Sequence, residues 1–180
     1  MAASGDPSAE RFREVVLPHL ADALAFARWL TGNAHDAEDV VQEACLRAYA
    51  GIGTYAGGSA RAWLLAIVRN ACHTWLARNR GPMLVPLDEV TDADLLASGP
   101  SGDDDAEAAM IARADAAEIE AAIAALPPPF REVLVLRDIN GLGYREIADL
   151  ISAPIGTVMS RLSRARTILI RQLGGRNDRA

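Results

Sequence analysis

The sequence contains no lysine: all 18 of its basic residues are arginine. Aromatic residues are scarce, at 5% of the chain, while alanine is abundant. That composition disfavours a β-sandwich and favours helices packed by aliphatic side chains. There are only two cysteines, Cys45 and Cys72, far apart and outside any C-x-x-C pair. A disulfide framework and a zinc cage are thereby excluded, and two reduced, buried thiols are expected. Cys72 and His73, being adjacent, offer half of a metal or redox site, but two adjacent residues are too few for a zinc cage. No apolar run approaches the roughly 20 residues that cross a bilayer. The segment Met1 to Arg13 lacks the apolar core of a signal peptide, so a cytoplasmic location is expected. His19, His35 and His73 are scattered, and no glycine-rich phosphate loop or nucleophile–base pair is present. An enzyme is therefore not expected, nor a catalytic residue, metal, cofactor or small-molecule substrate.

What is present is an uneven distribution of charge. The formal net charge of −6 hides three segments. Residues 1–80 carry 8 arginines and 8 acidic residues, residues 81–126 carry 1 and 11, and residues 127–180 carry 9 and 5. The acidity belongs to the middle; the C-terminal third is basic, as phosphate binding requires.

Helical periodicity runs from Arg11 to about Thr31 through Phe12, Val15, Val16, Leu20, Leu24, Trp29 and Leu30, interrupted by Pro18. A second helix is predicted from about Ala34 to Tyr49, with Asp36, Glu38 and Asp39 near its N-terminus, where negative charge suits the helix dipole. Gly51, Gly53, Gly57 and Gly58 predict a mobile loop. A third helix, about Ser59 to Arg80, places Trp63, Leu64, Ile67, Val68, Ala71, Trp75 and Leu76 on one stripe. Its other face carries Arg69, Asn70, His73 and Arg78. Trp63 and Trp75, being on the apolar stripe, are expected to pack in the core. Residues 81–114, with Gly-Pro breaks and the run Asp103, Asp104, Asp105, predict a self-repelling linker whose end winds into a helix reaching Ala125. Pro127, Pro128 and Pro129 stop that helix. Further helices follow at about 129–138, 144–151 and 154–172, and the tail from Gly174 to Ala180 is expected to fray. There are no internal repeats and no convincing strands.

The strongest local pattern runs from Tyr144 to Arg166 (YREIADLI, SAP, IGTVMSRLSRAR). Two short helices with a tight turn between them form a helix-turn-helix. Ile147, Ala148, Ile151, Val158 and Leu162 face its small core, and Pro154 suits the start of the second helix. Met159, Ser160, Ser163 and Arg164 share one face of that second helix. Arg161 and Arg166 flank this face within reach of phosphates, and Thr157 adds a hydroxyl near exposed amides.

The stretch Ala125 to Asp138 (ALPPPFREVLVLRD), followed by this helix-turn-helix, resembles the C-terminal domain of extracytoplasmic-function sigma factors of the sigma-70 family. The resemblance implies an all-α fold of two small helical domains joined by an acidic flexible linker, with the helix-turn-helix in the C-terminal one. It implies domains at 10–80 and 115–175, a linker at 81–114, base contacts to the −35 element from Met159, Ser160, Ser163 and Arg164 and a backbone contact from Arg145, beside the phosphate contacts already expected of Thr157, Arg161 and Arg166. Leu30 to Tyr49 (LTGNAHDAEDVVQEACLRAY) resembles the helix with which the family grips core RNA polymerase, implying contacts from Asp36, Asp39, Gln42, Glu43 and Arg47. Arg61 to Asn70 (RAWLLAIVRN) resembles the helix that opens the −10 element. On that footing Arg61, Arg69, Asn70, His73 and Arg78 face DNA, and loop residues 54–60 shape a pocket for an extruded base.

Two positions depart from the family pattern. Thr74 stands where an aspartate is frequent, which leaves the −10 base preference open, and Ala153 stands where valine is common. The resemblance implies core polymerase and promoter DNA as partners, with an anti-sigma factor as regulator, in a stress or envelope response. Residues 81–114 would extend to at most about 110 Å at ~3.3 Å each, enough to bridge two promoter elements. Their acidic run is expected to mimic nucleic acid in the polymerase, so that replacing the three aspartates would alter abortive synthesis. The free chain is expected to bind duplex DNA weakly. A stand-alone helix-turn-helix regulator is the rival reading, but it leaves the acidic second helix and the Arg-Asn helix without a purpose.

Overall fold

The computed structural model describes residues 6–79 and 107–174, without the side chains of 107–115 and 174. All regular structure among these residues is helical. The chain opens with α1 (Pro7–Val15), capped by the Asp6 carboxylate, which accepts from the Ser8 amide at 3.0 Å. Pro7 occupies its first turn, where a missing N–H costs nothing. A 3₁₀ turn at Leu17–His19 absorbs Pro18 and leads into α2 (Leu20–Thr31). Gly32, at φ 84°, ends α2 in the left-handed region. Asn33 then caps α3 (Ala34–Gly51), its side-chain oxygen accepting from the Asp36 amide at 2.8 Å.

The glycines after α3 depart from expectation. Gly51 belongs to α3 and Gly53 to a 3₁₀ turn at Ile52–Thr54, because Ile52 between them is buried. Of these four glycines, Gly57 and Gly58 alone take positive φ, and the Tyr55 hydroxyl donates to the Gly58 carbonyl at 2.7 Å. Helix α4 (Ala60–Asn79) follows. Helices α2, α3 and α4 pack mutually into one bundle. Its core combines Phe26, Leu30, Val40, Leu64, Leu65 and Val68 with Ala23, Ala27, Ala37, Ala44, Ala48 and Ala71. The alanines let backbones approach closely, while each fully buried large side chain contributes about 1.5–3 kcal/mol. Trp63 and Trp75 are partly buried against this core, as their stripe predicts. Helix α1 is tied to α3 by an edge-to-face Phe12–Tyr49 contact at 5.5 Å and by the Tyr49 hydroxyl, which donates to Asp6 at 2.6 Å.

The C-terminal part consists of α5 (Glu107–Ala125), α6 (Pro128–Leu134), α7 (Tyr144–Ile151) and α8 (Ile155–Gly174). Where one helix over 129–138 was expected, α6 gives way to a π-helical segment at Val135–Ile139. The Asn140 amide reaches back five residues to the Val135 carbonyl at 2.8 Å. This wide turn aims Asp138 at α8 and carries Arg137 over the Tyr144 ring, 4.8 Å from its centre. Glu146 then reaches back to accept from the Gly143 amide at 2.8 Å, fixing the start of α7. Between α7 and α8, Ser152 at φ 54° makes the left-handed turn and the Ala153 amide donates to the Ala148 carbonyl at 3.0 Å. The Pro154 carbonyl accepts from the Thr157 amide at 2.9 Å, so proline stands just ahead of α8.

The two parts are packed together and share one continuous apolar core. Helix α4 lies against α7, and α2 against α6 and the π segment. The expected linker, including Asp103, Asp104 and Asp105, lies outside the described residues up to Ala106, as does the tail beyond Gly174.

Candidate nucleic-acid and partner interfaces

Three surfaces gather the residues singled out in the sequence. On α3, Asp39, Gln42, Glu43 and Arg47 are exposed and Asp36 is half-buried. Glu43 pairs with Arg47 at 2.9 Å, and Asp39 lies 3.9 Å from His35. Exposed pairs of this kind contribute at most about 1 kcal/mol to stability, so the stripe exists at little cost to the fold. Amid these charges stands Leu46, 65% exposed, which was not expected to take part. Positions 39, 42, 43 and 46 share one helix face, so an apolar residue within a polar stripe was the signal. An exposed leucine rimmed by carboxylates suits a partner that is apolar at its centre and basic around it.

On α4 the structure divides the predicted set. Asn70 and Arg78 are exposed, and the Thr74 hydroxyl donates back along the helix to the Asn70 carbonyl at 2.8 Å. Arg61 pairs with Asp22 of α2 at 2.7 Å. Arg69 donates to both oxygens of Glu132 on α6, at 2.8 and 3.4 Å, and His73 Nε2 lies 2.9 Å from the same carboxylate. Glu132 is only 5% exposed. Burial alone would raise its pKa, but the His73 contact and the Arg69 guanidinium outweigh it and hold the carboxyl below its ordinary value. Neither Glu132 nor Asp22 was expected to take part. The signal at Glu132 was an acid on the inward stripe of α6, between the buried Phe130 and Val133. Such a residue demands a cationic partner.

On α8 the inward face is Val158, Leu162, Ala165 and Ile168, all buried. The opposite face presents Met159, Ser160, Ser163 and Arg164, all exposed, with Met159 at 53%. Ile147, Ala148 and Ile151 of α7 are buried beneath it, as a helix-turn-helix requires. Arg145 is exposed at the start of α7, whereas Thr157 and Arg161 are half-buried. Arg166 forms a two-point ion pair with Asp138, at 2.7 and 3.2 Å, and that hydrogen bonding raises its pKa above the ordinary arginine value. A phosphate at Arg166 would compete with this pair. No described helix is long and apolar enough to cross a membrane.

An acidic stripe on α3, arginines along α4 and a helix-turn-helix whose second helix leaves one face exposed thus stand on one α-helical frame. Residues 15–81 match the family of sigma-70 region 2, and residues 116–169 match that of sigma-70 region 4. The chain is 34% identical over 165 residues to the ECF RNA polymerase sigma factor SigE of Mycolicibacterium smegmatis, covering 91% of this chain and 62% of that one. It therefore spans less than two thirds of that relative's length. It is 34% identical over 169 residues to the ECF RNA polymerase sigma factor EcfG of Rhodopseudomonas palustris, covering 91% and 85%. With the RNA polymerase sigma-H factor of Pseudomonas aeruginosa it shares 37% identity over 147 residues, covering 78% and 75%. Among solved structures, the sigma factor RpoE of Bartonella quintana, in complex with the anti-sigma factor NepR, superposes with a TM-score of 0.67 at 28% identity, covering 91% of this chain and 96% of that one. The chain belongs to the extracytoplasmic-function sigma factors of the sigma-70 family.

Proposed function

We propose that the chain joins core RNA polymerase through the α3 stripe and selects promoters with two reading heads, α4 for the −10 element and α8 for the −35 element. The observation that carries this reading is the division of α8. One face is sealed into the helix-turn-helix core, and the other leaves Met159, Ser160, Ser163 and Arg164 free to meet base edges. Arg145, and Arg166 once released from Asp138, hold the flanking phosphates, with Thr157 and Arg161 at the margins of the contact. On α4, Asn70 and Arg78 are free for DNA, while Arg61, Arg69 and His73 become so when their carboxylate partners withdraw. Asp36, Asp39, Gln42, Glu43 and Arg47, centred on Leu46, meet the polymerase. The protein acts in the cytoplasm as an initiation factor without catalytic chemistry of its own. An anti-sigma factor is its regulator, in keeping with the complex formed by the Bartonella quintana relative.

The decisive experiment is run-off transcription with purified core polymerase and a genomic promoter library. Defined start sites that depend on this chain are expected, and their loss in a variant carrying Asp39→Arg and Glu43→Arg together. A chain that does not associate with core enzyme refutes the reading.

A further inference from the structure

Helix α1 buries none of its side chains fully, yet it is fastened firmly to what lies beneath it. Its cap Asp6 and its Phe12 both meet Tyr49 near the end of α3. Its exposed Arg11 reaches the loop between α3 and α4. The Arg11 guanidinium donates to the Tyr55 carbonyl and also stands over the Tyr55 ring, 6.0 Å from its centre. Trp63 of α4 meets the same ring at 5.3 Å between centres. The Tyr55 hydroxyl donates to the Gly58 carbonyl at 2.7 Å, so residues 55–58 are closed into a ring by a side chain of their own. Gly57 and Gly58 form the crest of this loop. Both are exposed and at positive φ, and an added Cβ at either would meet nothing within 4 Å. The crest is open to a ligand, while Tyr55 at its base is gripped from α1 and α4. From this geometry we propose that Arg11 is a positioning residue of the −10 head. It fixes Tyr55, and through Tyr55 it holds the loop in the form that receives a base extruded from the −10 strand.

A loop with this crest needs support from outside. Two successive glycines have the widest backbone freedom of any residues, and an untethered crest would sample many shapes of which few fit a flat base. Extruding a base forfeits its stacking and pairing, and a pocket that must also be ordered on contact binds it less tightly. Arginine suits the task. A charged donor makes the stronger hydrogen bond to a carbonyl, and a planar guanidinium can face an aromatic ring while its edge makes that bond. Lysine can supply the charge but not both contacts at once. Because α1 is also fixed to α3 through Tyr49, Arg11 refers the loop to the helix proposed to meet the polymerase. If the receptive loop falls to a fifth of the population, apparent affinity for the extruded base falls about fivefold.

The inference rests on the proposed function for what the loop receives, but not for the tether itself. Limited chymotrypsin digestion of the free, full-length chain, read by mass spectrometry, is the first arm. Arg11→Ala should be cut after Tyr55 at least about fivefold faster than wild type, because cleavage follows the open population. Cutting after Phe26, which is buried in the bundle core, should keep its wild-type rate. An unchanged rate after Tyr55 overturns the tether. So does an equal rise after Phe26, which would mark general unfolding. The second arm is run-off transcription by the holoenzyme on promoters substituted one base at a time. Arg11→Ala should lose about fivefold in selectivity at one −10 base, with every −35 ratio unchanged, and Arg11→Lys should recover part of the loss. Unchanged −10 ratios overturn the positioning role. A uniform fall on all sequences, with a shallower dependence on salt, overturns it too and makes Arg11 a phosphate contact. Absence of start sites with the wild-type chain strikes instead at the sigma-factor reading, and the digestion still decides the tether.

Discussion

Iodoacetamide added to the folded chain at pH 8 should alkylate Cys45 and leave Cys72 almost untouched. Cys72 is fully buried on α4, and burial, reinforced by the charge of Glu132, pushes its thiol up to about 12 from an ordinary 9.0. At pH 8 the thiolate fraction falls from about one in ten to about one in ten thousand, close to a thousandfold. The more basic thiolate is the better nucleophile, which returns roughly twentyfold across three pKa units. Ionisation alone should thus slow Cys72 about fiftyfold, and its lack of solvent contact should slow it further. Cys45 is only half-buried, and desolvation raises its thiol too, so it should react more slowly than a free cysteine but well ahead of Cys72. Timed alkylation followed by peptide mass spectrometry gives both rates in one sample. Equal rates in the native chain would refute the burial argument and reopen Cys72 as a redox sensor.

Arg164→Ala should remove about 1–3 kcal/mol of discrimination at one −35 base. Run-off from matched and mismatched −35 sequences would read this as a selectivity loss of roughly 5- to 150-fold, and an unchanged ratio would remove Arg164 from the base contacts. Acid should loosen the docked chain. The folded-state pKa of Glu132 is depressed, so its contribution is present above the ordinary carboxylate range and is lost as pH falls through that lower value. The groups facing it are Arg69, His73 and Cys72, all on α4. Thermal melts between pH 7 and 3 should therefore fall more steeply for wild type than for Glu132→Gln, and parallel curves would contradict the assignment.

The helix-turn-helix was legible because its determinants are local. Apolar spacing in Tyr144–Ile151, a tight turn and Pro154 each speak about neighbours within a few residues. The α2–α3 junction fell where the apolar spacing placed it, although the local stop and cap that set it, Gly32 and Asn33, went unread. Asp6 and Pro7 carried a capping signal too, yet the alternation of small and charged residues around them hid it, and α1 starts earlier than the apolar spacing suggested. Gly51 and Gly53 misled because tertiary burial of Ile52 overrides their preference for loops. The π segment has no signature in VLRDI, which reads as ordinary helix. The docking of α4 against α7 and α6 was hidden for a deeper reason. Arg69 and Glu132 stand 63 positions apart, and nothing in either neighbourhood names the other. An inward-pointing acid says only that some cation must meet it.

The wide turn at Val135–Ile139 has a consequence for how this lineage can vary. One surplus residue is wound into it, and each residue of a helix advances its neighbours by about 100°. Deleting a single position there would restore regular winding and rotate everything downstream by that angle, parting Asp138 from Arg166 and swinging α8 off its bearing. Side chains in this stretch can be exchanged within the limits of packing, whereas its length is fixed by the heading of α8, the helix proposed to read the promoter.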